Sequence, residues 1–111
     1  MSTTTSIPVT VTPEAAAYVA ELGLQKEFEQ MLEHARLTIP GLLSLRADYN
    51  TGYNVDPPYI DIQATVSDYE AAQEADDAWG LWHITAFPPQ VGLNFALYTT
   101  EEPENAREGI P

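Results

Sequence analysis

A chain of 111 residues without cysteine fits one domain and excludes disulfides, thiolate metal sites, iron–sulfur clusters and thiol catalysis. Four basic residues face seventeen acidic ones, a formal charge of −13. A field of that sign repels DNA, RNA and anionic lipid, and attracts basic protein surfaces or cations.

Residues 1–6 are rich in Ser and Thr and are expected to be loose. Ile7, Val9 and Val11 alternate with Pro8, Thr10 and Thr12, which predicts a short strand. Pro8 cannot donate to a ladder, so this strand belongs at an edge or pairs only after that residue. Thr12, Pro13 and Glu14 form a helix start: a capping hydroxyl, a proline suited to the first turn, and a carboxylate at the positive end of the dipole. From Leu24 onward, Leu24, Phe28, Met31, Leu32, Ala35 and Ile39 fall on one helical stripe. Val19 and Leu22 are out of phase with it. Either Gly23 caps a first short helix, or one long helix presents Tyr18, Val19 and Leu22 to something else, such as a second subunit.

Pro40-Gly41 ends the helical region. Leu43, Leu45, Ala47 and Tyr49 alternate with Ser44, Arg46 and Asp48, a strand with one wet face. Asn50 to Pro58 reads as a loop. Ile60, Ile62, Ala64 and Val66 alternate with Asp61, Gln63 and Thr65, and the two strands are expected to pair as an antiparallel hairpin. Ser67 to Asp77 reads as a loop or fraying turn, followed by a helix with Ala75, Trp79, Trp82 and Ala86 on its face and Asp76 or Asp77 as its cap. Pro88-Pro89 stops that helix. Leu93, Phe95 and Leu97 mark a last strand, and the tail from Glu101 is expected to be flexible.

The expected fold is a single α+β domain over residues 1–111, in the order β-α-β-β-α-β. That is the ferredoxin-like arrangement, or a three-stranded antiparallel variant with helices on one face and the first strand marginal. The N-terminus lacks the basic and apolar regions of a signal peptide, and no apolar run approaches the ~20 residues of a membrane span. A soluble cytoplasmic protein is the expectation.

Two resemblances run through the chain. The opening VTVTPEAAAYVAEL resembles the start of the A-type iron–sulfur carrier proteins, but those depend on cysteines and this chain has none. The series PEAAAYVAELGL, LEHARLTIPGLLSL and WGLWHITAFPPQVGLNFAL is similar to a family of small uncharacterised bacterial proteins of unknown function. There a Pro-Gly turn feeds a hairpin, and a Trp-bearing helix ends at Phe-Pro-Pro before a last strand. This second resemblance implies that layout and no chemistry.

The charge is unevenly spread. From Ala47 to Ala106 sixty residues pass without Lys or Arg while eleven carboxylates occur. This is either a solvated surface or a binding pattern. Zinc finds too few ligands in His34 and His83, and Glu33-His34 is not followed by a second His as HExxH requires. Asp68, Glu70, Glu74, Asp76 and Asp77 lack the glycine of a calcium loop. No nucleophile elbow or phosphate cradle is present, and no cofactor is called for. Trp79 and Trp82 read as core anchors covering the sheet. Tyr53, Pro57, Pro58 and Tyr59, beside Asp56 and Asp61, form an amphipathic loop suited to a basic peptide or Arg-rich surface, with Asp76 and Asp77 flanking the Trp helix. The leading expectation is a non-catalytic acidic module binding a basic partner protein, regulatory or antitoxin-like, with a homodimer expected from an edge strand. The alternative is a small enzyme or ligand-binding domain using His83 with nearby carboxylates.

Overall fold

The structure, a computed structural model, describes residues 7–50 and 58–101. Its elements are β1 (Val9–Val11), α1 (Pro13–Leu22), α2 (Gln25–Thr38), β2 (Leu42–Asn50), β3 (Tyr59–Val66), α3 (Tyr69–Ala86), α4 (Pro89–Gly92) and β4 (Phe95–Glu101).

Thr12 ends a strand and begins a helix at once. Its N–H donates to Ala47 O at 3.1 Å, while its hydroxyl accepts from the Ala15 N–H at 3.2 Å, the N-cap bond that α1 needs. Gly23, at φ 70°, donates to Ala20 O, and the Leu24 N–H reaches back to Val19 O. That left-handed stop breaks the helix, and α2 restarts in a new phase that buries Phe28, Met31 and Ala35. Val19 is 2% exposed, and Tyr18 stacks on Tyr49 with ring centroids 4.5 Å apart. Of the residues considered for a second subunit, only Leu22 is exposed.

Gly41 adopts φ 66°, and a Cβ there would lie 2.7 Å from Ser67 Oγ. Its carbonyl accepts from the Ser67 N–H at 3.0 Å, so the start of β2 is tied to the end of β3. Leu42 pairs with Val66 but Ser44 pairs with Thr65. The extra residue is a bulge, and it makes Leu42 rather than Leu43 the first core residue of the strand. Leu43 is exposed.

The strand order is β1-β2-β3-β4, with β1 and β2 parallel, β2 and β3 antiparallel, and β3 and β4 parallel. This corrects the antiparallel ferredoxin-like expectation and its three-stranded variant. The sheet is open, four-stranded and mixed, in the order β-α-α-β-β-α-α-β, and the α+β class holds. Each helical pair carries the chain back along the sheet, so the next strand lies parallel beside the one it left. A ferredoxin-like order would put β1 between two ladders, where Pro8 has no N–H to give. Here β1 is an edge, and the Pro8 carbonyl accepts from Leu45 N–H at 3.0 Å.

The cap of α3 is Asp68, whose carboxylate accepts from the Ala71 N–H at 3.2 Å. The helix therefore begins well before Asp76 and Asp77, which are mid-helix residues and not caps. Alanines and glutamates that looked like a loop propagate helix once Asp68 starts it. Pro89 opens the short α4, Leu93 caps it, and the last strand starts at Phe95. Buried residues of α1, α2 and α3 join Leu45, Ala47, Ile60, Ile62, Ala64, Val66 and Phe95 in one cluster. The Trp79 indole N–H donates to Met31 O at 3.1 Å, locking α3 onto α2. The helices thus cover one face of the sheet. No described helix is long and apolar enough to cross a membrane.

Candidate functional site

Strand alternation decides what the open face, the one that no described helix covers, carries. Its rows run across the strands: Ser44, Thr65 and Thr100, then Thr10, Arg46, Gln63 and Tyr98, then Asp48, Asp61 and Ala96, then Asn50 and Tyr59. None of these residues is buried. Arg46 Nε donates to Asp48 Oδ2 at 3.0 Å, and Asn50 Nδ2 donates to Tyr59 Oη at 3.0 Å.

Asp48 and Asp61 are direct cross-strand partners in the antiparallel pair, an arrangement in which like charges oppose folding. Burial first, and the Asp48 charge second, push the Asp61 carboxyl above its ordinary range. Burial also raises the Tyr98 hydroxyl, with Asp61, Asp48 and Tyr59 adding to it. Arg46 is the one guanidinium among the described residues of this face, and it bonds Asp48, leaving Asp61 without a cation of its own. Two carboxylates beside the small Ala96, bordered by the Tyr98 and Tyr59 rings, offer the acceptors and ring faces that a guanidinium uses. Among the described residues no three His, Asp or Glu side chains converge as a metal site requires.

The residues expected to bind are only partly brought together. Tyr59 and Asp61 lie on this face. Pro58 precedes it, with its carbonyl 3.5 Å from Tyr18 Oη. Tyr53, Asp56 and Pro57 lie outside the described residues. Asp76 and Asp77 belong to α3, in the layer covering the opposite face. Asp76 accepts from Thr99 Oγ1 at 2.8 Å, whereas Asp77 is exposed. Asp61 and Asp76 therefore have the sheet between them. Asp48, Arg46 and Tyr98 were missed. The outward phase of Asp48 and Asp61 was readable from alternation, but their direct opposition depends on a register that alternation does not give.

Neither histidine sits on this face. His83 is 8% exposed and stacks on Trp79 with centroids 4.6 Å apart. Its Nδ1 lies 2.9 Å from Gly80 O, and its Nε2 lies 3.1 Å from Gly92 O and 3.2 Å from Phe95 O. All these neighbours are main-chain carbonyls, so the ring ties α3, α4 and β4 together, and no carboxylate is among its partners. His34 stacks on Trp82 at 3.8 Å, in a shallow groove between α2 and α3 that Lys26, Glu29 and Leu37 also line. Trp79 is core, at 1% exposed.

No protein-family model, curated protein or solved structure matches the chain. The chemistry of the open face carries the functional reading by itself.

Proposed function

We propose that this chain is a non-catalytic interaction module, acting in the cytoplasm, whose open sheet face docks a basic partner protein. The observation that carries the reading is the opposed Asp48–Asp61 pair between Tyr59 and Tyr98, on the sheet face that no described helix covers. Arg46 answers Asp48, but the opposition of the two carboxylates itself works against folding. An arginine from outside relieves that repulsion, pairs with both acids and stacks on a tyrosine ring. Such a module suits a regulatory or antitoxin-like role, in which it occupies the nucleic-acid surface of a basic nuclease.

The test compares two variants of equal net charge. Asp48→Asn with Asp61→Asn removes both carboxylates of the opposed pair, while Glu74→Gln with Asp77→Asn removes the same charge from α3. Binding to an Arg-rich peptide at low salt should weaken about tenfold for the first and stay within about twofold for the second. Equal losses would show that the acidity is a diffuse solubilising charge.

A further inference from the structure

The two edges of the sheet differ. β1 is three residues long and follows a proline, which is a blunted edge. β4 runs seven residues without proline, lysine or a bulge, and among the described residues its one strand neighbour is β3. The Ile60 N–H donates to Asn94 O at 2.8 Å while Ile60 is in register with Phe95. In a parallel ladder this phase turns the main-chain groups of Ala96, Tyr98 and Thr100 toward β3, and those of Phe95, Leu97, Thr99 and Glu101 outward. His83 Nε2 takes the Phe95 carbonyl. The outward N–H and C=O groups of Leu97 and Thr99 remain at the middle of the strand.

We propose that β4 is a dimerisation edge, pairing antiparallel with β4 of a second copy of this chain about a twofold axis at Tyr98. Geometry and charge select a second copy. With the axis at Tyr98, Leu97 meets Thr99 of the other copy, and both such pairs exchange N–H···O bonds, as a self-complementary joint requires. The stretch from Phe95 to Thr100 is uncharged in a chain of formal charge −13. It can therefore meet its own copy with no carboxylates opposed within that stretch, Glu101 falls against the Phe95 end of the other strand, and the one carboxylate bonded to the stretch, Asp76, is held by the Thr99 hydroxyl. A basic foreign partner is drawn instead to the charged faces. Ile84 and Leu93, exposed at 57% and 77%, line an apolar pocket with Phe87, Pro89 and Gly92, on the segment that leads into the start of β4.

Light scattering and sedimentation of the full chain test this, and their readout is mass, independent of any basic partner. The expected species has twice the mass of the 12.2 kDa chain and tightens with added salt, because each copy carries the same negative charge. Docking of a basic partner has the opposite salt slope, so failure of one reading does not mimic failure of the other. Tyr98→Glu, at an exposed position, opposes like charges at the axis and should weaken the dimer about fivefold or more. Leu97→Pro removes an outward N–H and should abolish it, with a thermal melt to establish that the variant folds. If Leu97→Pro unfolds, Tyr98→Glu decides alone. A chain that stays monomeric at high concentration in near-molar salt overturns the proposal, and so does a dimer that Tyr98→Glu leaves unchanged.

Discussion

The two faces of one sheet follow opposite rules here. On the covered face Leu45, Ala47, Ile60, Ile62, Ala64 and Val66 lie under helices that also bury Trp79 and Met31, and the polar groups present there have partners: Trp79 to Met31, Thr99 to Asp76, His83 to three carbonyls. On the open face, one residue away along the same strands, two aspartates oppose each other and Asp61 is held above its ordinary pKa range by burial and by Asp48. The covered face is built for stability, whereas the open face keeps an electrostatic conflict that folding does not resolve. Substitutions on the first should change folding, and those on the second should change binding with little or favourable effect on folding.

Trp79→Ala should test the first half of that contrast most severely. Removing a fully buried indole and orphaning its bond to Met31 should lower unfolding free energy by about 3–5 kcal/mol in a urea titration. A loss under about 1 kcal/mol would mean that the helical layer does not depend on it. Gly41→Ala tests the seam where β2 begins and β3 ends. Left-handed backbone without glycine costs roughly 1–2 kcal/mol, and the contact with Ser67 Oγ adds to it unless that side chain rotates away. Ser67→Ala in the same background should recover the steric part alone. On the open face the sign should invert. Asp61→Asn keeps the shape, removes the like-charge opposition and should raise the melting temperature slightly, by a gain of about 0.2–1 kcal/mol. A drop would mean that Asp61 has a stabilising partner.

The smallest effect is the pH dependence of the same residue. A carboxyl whose folded pKa is raised holds its proton more tightly folded than unfolded. Between the unfolded value, about 3.9, and the higher folded one, the native state binds more protons, so stability falls as pH rises through that window. Melts taken while acidifying from neutral toward it should therefore show a modest gain in wild type, and a smaller one in Asp61→Asn. Identical profiles would remove Asp61 as a source of that gain.

The parts of the fold that depend on neighbours in sequence were legible. Thr12-Pro13, the α2 stripe and the alternation of β2 and β3 follow from capping chemistry and period. Gly23 was readable as a stop, although a long helix fitted the same residues until its positive φ decided between them. The first half of α3 escaped although its signal, the Asp68 cap, is local; the rest of what escaped depends on distant pairing. Nothing local distinguishes a β4 that lies parallel to β3 from one that lies antiparallel, and the slip at Leu43 shows only when Ser44 is matched to Thr65. The candidate site shared that fate. Tyr59 and Asp61 stand out beside the loop in the sequence, but Asp48 and Tyr98 join them only through register, and Asp76 falls away because α3 packs on the opposite face, where it bonds Thr99.

The mixed pairing also sets an order of assembly. Eight residues separate Asn50 from Tyr59, whereas thirty separate Val11 from Leu42 and twenty-eight separate Val66 from Phe95. Closing either longer span costs about 1 kcal/mol more chain entropy than closing the hairpin, before the helices within it have anything to pack on. The central hairpin is therefore the piece that forms early, and the parallel outer strands arrive with their helices as late additions on either side. In that order the aspartate pair is brought face to face at the first step, before any core exists to hold it. Early folding should consequently quicken in salt, which screens that repulsion when nothing else yet opposes it.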